Sequence, residues 1–217
     1  MNRSESLSQY FDERVETFGK DFRSCGYQSK WSFLQRQQAV MALLQGREGD
    51  RILDVGCGPG LFTAPLSQKH FLVGVDLSFK MLGHARSVLE PVLGNGGLLP
   101  FQDKSFDVVM AIETLQHLAE PAAFVKELCC AVKRGGVLIL SSLNQNSILH
   151  RTLNRFGGYQ GLHFHSLLEI CQILDQQGLS RHTTQFLGFP FPLIWQEKQS
   201  LRPPSGLATS WIVQARK

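Results

Sequence analysis

Leu53-Asp54-Val55-Gly56-Cys57-Gly58-Pro59-Gly60 is the stretch that decides the fold of this chain. The run Arg51-Ile52-Leu53 leads into the acidic Asp54, and three glycines then alternate with other residues ahead of a helix-like segment. This order reads as a strand, a tight turn and a helix start. Glycine has no Cβ and tolerates positive φ, so such a turn lets a ligand come close to the backbone. The spacing is G-x-G-x-G. A nicotinamide-type G-x-G-x-x-G would need glycine at 61, where Leu61 stands. The next apolar run, Phe71-Leu72-Val73-Gly74-Val75, ends in Asp76. That acid falls roughly 20 residues past the glycines, where a βαβ nucleoside site expects a ribose-binding carboxylate.

Strand and helix signals alternate outward from this turn. Strands are expected over 51–56, 71–76, 92–98, 106–112, 136–142, 180–188 and 207–215, and helices over 59–69, 78–90, 120–133 and 165–177. Two further helical segments, 5–20 and 29–45, precede them, the second with Trp31, Leu34, Ala39, Val40, Leu43 and Leu44 near helical spacing. Pro59 is tolerated at a helix start, and Gly178 fits a helix C-terminus. Such alternation implies βαβ units and a parallel sheet covered on both faces. Gln145–His163, which includes Arg155-Phe156-Gly157-Gly158-Tyr159, and Gly188–Gly206 read as insertions, and long connections of this kind are often lids or binding loops.

The glycine turn paired with Asp76 resembles the class I S-adenosylmethionine-dependent methyltransferases, and within them the type 11 small-molecule group. The resemblance continues in order along the chain. Leu99-Pro100-Phe101 with Ser105-Phe106-Asp107-Val108-Val109 resembles the family's LPF…sFD-V-V block. Glu113-Thr114-Leu115-Gln116-His117-Leu118 resembles its segment after the fourth strand, and Val132 to Leu140 its L-K-P-G-G turn and fifth strand. Ser141-Ser142-Leu143-Asn144 is similar to the S-T-x-N of quinone O-methyltransferases, in the ubiquinone and menaquinone biosynthesis branch. The match covers about residues 50 to 145 well and the flanks loosely. The resemblance implies an α/β, Rossmann-like three-layer sandwich. Its seven-stranded sheet is mostly parallel, its last strand antiparallel, and a helical cap is N-terminal. One domain over 1–217 is expected, with a cap over 1–48, a cofactor-binding half over 49–144 and a substrate-side half over 145–217.

The same resemblance implies the site. S-adenosyl-L-methionine is the expected cofactor and S-adenosyl-L-homocysteine its product. Gly56, Cys57, Gly58 and Gly60 would admit the cofactor's methionine end, with the helix N-terminus after them offering N–H groups to a carboxylate. Asp76, with Leu77 after it, would accept the ribose hydroxyls; the alternative for Asp76 is a helix N-cap, a task Ser78 can take instead. Asp54 would orient the glycine loop and the cofactor's amino-acid end, or serve only the loop N–H groups. Asn95-Gly96-Gly97 stands where relatives carry Asp-Ala near the adenine amine, and an amide oxygen still accepts that hydrogen bond. Glu113 and His117 follow the fourth strand, and His117 could act as a general base because its unperturbed pKa lies near 6.5. Methyl transfer is an in-line displacement that depends largely on positioning, so a base is optional. Tyr10 and Tyr27 in the N-terminal helices, and His163, are the candidate substrate contacts; core packing is the alternative for the tyrosines and a surface place for the histidine. His163 and His165 form an H-x-H pair, but no third ligand stands at useful spacing, and no metal is expected.

Composition bounds the remaining choices. The chain has 217 residues, 43% hydrophobic and 18% charged, as in a globular protein whose core needs no staples. The net charge of +4 without a dense basic block argues against nucleic acid as a partner. A base amino-methyltransferase would also carry Asn/Asp-Pro-Pro-aromatic where Ile112-Glu113-Thr114-Leu115 stands. Five cysteines in no C-x-x-C spacing suit reduced thiols and a cytoplasmic place. No apolar signal region opens the chain, and no run of about 18 apolar residues occurs. The segment from Phe186 to Trp195 is too short to span a membrane; it could be a hydrophobic substrate lid, a membrane-touching hairpin, or packing against the last strands. The expected activity is methylation, chiefly O-methylation, of a small molecule. The alternatives are a non-catalytic or partner-dependent cofactor-binding protein and a nucleic-acid methyltransferase. The acceptor and the oligomeric state are not legible.

Overall fold

The computed structural model describes residues 3–155, 161–188, 195–198 and 208–217. Helices α1 (Arg3–Phe18) and α2 (Lys30–Leu43) precede an alternating series. It runs β1 (Arg51–Val55), β2 (Phe71–Asp76), α3 (Phe79–Ala85), β3 (Glu90–Leu93), β4 (Phe106–Ala111), α4 (Ala122–Ala131) and β5 (Val132–Leu143). Then follow α5 (Ile148–Arg155), α6 (Leu167–Gln176), β6 (Ser180–Gly188), β7 (Trp195–Lys198) and β8 (Ala208–Arg216). One sheet holds all the strands in the order β3-β2-β1-β4-β5-β8-β6-β7. The first five are mutually parallel, and β8 runs antiparallel to both β5 and β6. The expected sheet with its antiparallel last strand is thus present. The short β7, inside a segment expected to be an insertion, adds an antiparallel edge strand beyond the seven.

Period-two patterning divides the apolar residues between the two faces. Leu53, Val109, Leu138 and Leu140 face the cluster beneath α4 and α6, with Val125, Leu128, Ile170 and Leu174. Their neighbours Ile52, Val108, Met110, Val137 and Ile139 face the cluster beneath α2 and α3, with Val40, Leu82 and Ala85. Trp211 of β8 is fully buried on the first face, and its indole N–H donates to the carbonyl of His165 at 3.3 Å. At the opposite rim Asp107 accepts from Lys133 Nζ at 2.9 Å and from the Arg51 N–H at 3.0 Å, which ties the starts of β4, β5 and β1 together.

Several expected elements differ. Residues 59–69 form turns with one 3-10 stretch, Ala64–Leu66, in place of an α-helix. Pro65 is the reason: it has no N–H to donate, and its ring opposes the carbonyl four residues back. The helix over 78–90 ends at Ala85, with the N–H groups of Val88 and Leu89 both returning to the Ala85 carbonyl. Pro91 pushes Glu90 into extended backbone, so β3 forms at 90–93, earlier than the expected 92–98. The first insertion carries the helix α5, which the pattern did not suggest; Phe156, Gly157, Gly158 and Tyr159 lie outside the described residues. Of the Phe186–Trp195 segment, Phe186 and Leu187 are buried in β6 against the sheet core, while Phe189–Ile194 lie outside the described residues. Trp31 and Leu34 are partly exposed, whereas Phe33, Arg36 and Val40 take the buried stripe of α2. All five cysteines are free. No described helix is long and apolar enough to cross a membrane.

Candidate functional site

Strand order reverses between β1 and β4, and ligands in open α/β sheets bind outside the carboxyl ends of the strands at such a switch point. The glycine loop leaves β1 at that place. Gly56 has φ +77°, and its N–H donates to the Val75 carbonyl at 2.7 Å. A Cβ on Gly56 would stand 2.4 Å from the Thr114 hydroxyl, which itself donates to the Val55 carbonyl at 3.0 Å. Thr114 therefore pins the loop from the end of β4, a role the sequence pattern did not reveal. Gly56→Ala is expected to cost about 1–3 kcal/mol of stability through left-handed strain, and to displace the loop from Thr114. Urea unfolding beside the wild type checks the cost.

Asp76 closes the other side of the loop. One carboxylate oxygen accepts from the Gly58 N–H and the other from the Ser78 N–H, each at 2.8 Å. Burial raises its pKa, and these N–H groups oppose the rise. Ser78 caps α3 by accepting from the Met81 N–H at 3.0 Å, so the N-cap alternative for Asp76 falls to its neighbour. Ser78 also bonds Asp12, and Ser8 donates to the Leu77 carbonyl at 2.9 Å, which docks α1 over the loop.

Asp54 is buried behind the loop. Burial, and then the charge of Asp76, push its carboxyl up to about 7, while the Thr63 hydroxyl opposes them, and Oδ2 has no hydrogen-bond partner. A folded-state pKa above the unfolded value of 3.8 means the folded chain holds the proton longer. This group therefore favours folding at low pH and loses that contribution as pH rises from about 4 to about 7. Asp54→Asn removes the proton linkage. The Tm of the wild type minus that of the variant is expected to fall across the same window, as melting at a series of pH values would record.

On the far side, Glu113 sits just past β4 with φ +56°, uncommon for a residue other than glycine. The Ser141 hydroxyl accepts from its N–H at 2.8 Å and donates to its carboxylate at 3.2 Å. The same carboxylate oxygen accepts from Arg36 Nε at 3.1 Å, and both side chains of the pair are buried. Arg36 also donates to Ser210 Oγ at 2.6 Å and to the Ser32 carbonyl at 3.0 Å, and lies 5.4 Å from the centre of the Tyr27 ring.

One cavity gathers most of the expected residues. Gly56, Cys57, Gly58, Asp76 and Leu77 line it together with Asn95, Gly96 and Glu113, and Tyr27 and His117 border it. His117 packs edge-on against Phe11 with centroids 5.3 Å apart. Asn95 Oδ1 accepts from the Gly97 N–H at 2.9 Å, so part of its acceptor capacity closes its own turn. Five expected residues are not in the lining. Asp54 lies behind the loop, Gly60 turns the chain away with φ +74°, and Gly97 is exposed. Tyr10 is exposed on α1 against Phe11 and Arg14, and the N–H of His163 is held by the Gln116 carbonyl at 2.8 Å. His165 is buried, its Nε2 3.0 Å from the Leu115 carbonyl and 3.1 Å from that of Leu118, so it anchors the loop after β4. Among the described residues no three His, Cys, Asp or Glu cluster as metal ligands would. Leu7, Phe11 and Phe124 are also in the lining; for Leu7 and Phe124 only their apolar character in the sequence hinted at it.

The cavity fits an adenosyl amino-acid cofactor on its own geometry. On the loop side a Cβ at Gly56 would collide with Thr114, so only glycine lets the backbone turn this closely at the cavity. The same holds at Gly96, where a Cβ would stand 2.4 Å from Val55 and 2.5 Å from Phe124. Asp76 supplies a carboxylate at the rim, and Leu77, Met81 and Leu118 supply apolar walls. The α-helix N-terminus expected after the glycines is absent, and the N–H groups of Gly56, Cys57, Gly58 and Gly60 all donate within the fold.

A family model described as "Methyltransferase domain" matches residues 53–140. A ubiquinone biosynthesis O-methyltransferase of Idiomarina loihiensis is 38% identical over 110 residues, which cover 46% of this chain and 45% of the relative. A 2-methyl-6-phytyl-1,4-hydroquinone methyltransferase of Synechocystis is 31% identical over 156 residues, covering 68% of this chain and 47% of the relative. The matches thus span about half the length of these curated relatives. Among solved structures, a SAM-dependent methyltransferase from Thermotoga maritima superposes with a TM-score of 0.75 at 22% identity, covering 96% of this chain and 98% of that one. Magnesium protoporphyrin IX methyltransferase of Synechocystis, with bound SAH, gives 0.71 at 23% identity over the whole of both chains.

Proposed function

Since this chain belongs to the class I S-adenosylmethionine-dependent methyltransferases, with their methyltransferase domain over residues 53–140, we propose that it transfers a methyl group from S-adenosylmethionine to a small molecule, chiefly to oxygen. The observation that carries the reading is the convergence of the Gly56–Gly58 loop, Asp76 and Glu113 on one cavity at the topological switch point. The curated relatives named for quinone and hydroquinone methylation support a small acceptor.

The residues have separate tasks in this reading. The glycine loop lets the cofactor's amino-acid end approach the backbone, and Asp76 accepts the ribose hydroxyls with its two oxygens. Leu77, Met81 and Phe124 exclude water around the base, with Asn95 Oδ1 an acceptor for its amine. When bound, the cofactor would supply an electrophilic methyl group to the acceptor oxygen, whose hydroxyl would give up its proton. Positioning does most of this work. His117, at the rim beside Phe11, takes that proton where the acceptor needs a base. Asp54 holds the loop from behind, and Tyr27 borders the acceptor.

The whole of 1–217 is read as one domain, with 1–48 as its cap and 145–217 as its substrate side. Five free thiols support a cytoplasmic place. Calorimetric titration with S-adenosylmethionine and S-adenosylhomocysteine tests the reading: micromolar binding is expected, and a folded sample that binds neither would overturn it. His117→Ala is expected to leave that affinity nearly unchanged.

A further inference from the structure

A second chamber, of about 290 Å³, adjoins the cofactor cavity, and the two share Cys25, Tyr27 and Glu113 as walls. The chamber's far wall is apolar, formed by Leu143, Leu149 and Leu162. Its charged wall is Arg36 with Glu113, whose opposite charges sit 3.1 Å apart. Among the described residues the chamber has no other Asp, Glu, Lys or Arg in its lining. Burial also raises the pKa of the Tyr27 phenol and the Cys25 thiol and lowers that of the His150 imidazole, so these remaining titratable groups are neutral near pH 7. The lining is polar at one end, then, yet carries no net charge.

Two of the lining residues each hold a buried polar atom without a hydrogen-bond partner: Tyr27 its Oη and Gln116 its Oε1. An unsatisfied buried polar atom costs about 1–3 kcal/mol, so such atoms in a native fold call for a partner. One is a phenol that can donate and the other a carbonyl that accepts. A hydroxyl is the group that suits either atom, since it can accept from a phenol or donate to a carbonyl. Glu113 holds its strained backbone at the boundary between chamber and cofactor cavity, and strain of this kind collects at ligand sites.

We propose that this second chamber receives the methyl acceptor, and that its charge-balanced Arg36–Glu113 wall, with Tyr27 and Gln116, selects an uncharged molecule bearing a hydroxyl on an apolar body. The proposal rests on the methyl-transfer reading above. An anionic acceptor would find the Arg36 charge already taken by Glu113, and a cationic one would find the Glu113 carboxylate already taken by Arg36. Burying either without a counter-charge is costly.

Phenol, benzoate and benzylamine form a one-ring series that is neutral, anionic and cationic. Their binding to the full chain is read by saturation-transfer NMR titration with S-adenosylhomocysteine present, whose own affinity is measured by calorimetry on the same sample. Phenol is expected to bind at least tenfold more tightly than the other two. Glu113→Gln leaves the Arg36 charge unpaired, so the benzoate-to-phenol affinity ratio is expected to rise at least tenfold. Tyr27→Phe, which removes only an unpartnered hydroxyl, is expected to weaken phenol three- to tenfold more than it weakens S-adenosylhomocysteine; it keeps the test open should Glu113→Gln fail to fold. Equal binding of the three probes, no phenol binding, or an unchanged ratio in Glu113→Gln overturns the chamber assignment while S-adenosylhomocysteine still binds. Failure of S-adenosylhomocysteine to bind overturns the methyl-transfer reading and this proposal with it.

Discussion

Arg36→Met is expected to lower the unfolding free energy by about 3–5 kcal/mol, because it strands the buried Glu113 carboxylate without its counter-ion. For a chain of this size that corresponds to a fall of roughly 6–20 °C in Tm. Ser141 alone would remain on the carboxylate, and the donation to Ser210 across to β8 would be lost as well. The double variant Arg36→Met/Glu113→Gln removes both charges and is expected to recover most of the loss, since an ion pair replaced as a unit is often close to neutral. Thermal melts of the wild type, the single and the double variants form the test. A single variant within about 1 kcal/mol of wild type would mean that water reaches the pair and screens it.

The second large effect concerns affinity. Asp76→Ala is expected to weaken S-adenosylhomocysteine binding by about 1.5–3 kcal/mol, the range for losing hydrogen bonds to a charged group, or roughly ten- to 150-fold in Kd. The variant also leaves the N–H groups of Gly58 and Ser78 without acceptors, so the loop loosens at the same stroke. Asp76→Asn separates the two contributions: its single carbonyl can keep one N–H partner, while its NH2 group opposes the other. Calorimetry with both variants reads the difference, and an unchanged Kd in Asp76→Ala would remove the ribose role. Binding needs the carboxylate form, and burial raises its pKa. Affinity in the wild type is therefore expected to decline on acidification before an ordinary exposed carboxylate would protonate.

Much of the sheet was legible because its signal is local. Ile52-Leu53, Val108-Val109 and Leu138-Ile139 each place neighbouring residues on opposite faces, and a run of such residues bounded by glycines reads as a buried strand. The glycine loop and Asp76 were legible for a similar reason, as both lie at strand ends where the period breaks. The turn over 59–69 is also local in origin, since Pro65 stands in the sequence and has no N–H to donate to a helix. Arg36 was beyond reach. It sits on the buried stripe of α2 at helical spacing from Phe33 and Val40, but its partner is 77 residues away, and no periodicity links the two. Thr114 is similar: its hydroxyl matters because Gly56 passes within contact of it, a meeting that exists only once β1 and β4 pair. Side chains whose roles depend on non-local approach are where a single sequence falls silent.

The place of β8 in the sheet bears on how the chain is made. It lies between β5 and β6, although β6 precedes it in the sequence. While the polypeptide emerges from the ribosome, β5 and β6 therefore have no strand to join them until residues 208–216 appear. Two apolar edges, with Leu138 and Leu140 on one and Phe186 and Leu187 on the other, stay open through that interval. The closing step is long-range and slow by topology, and the nascent chain is then most exposed to mispairing and to chaperone capture.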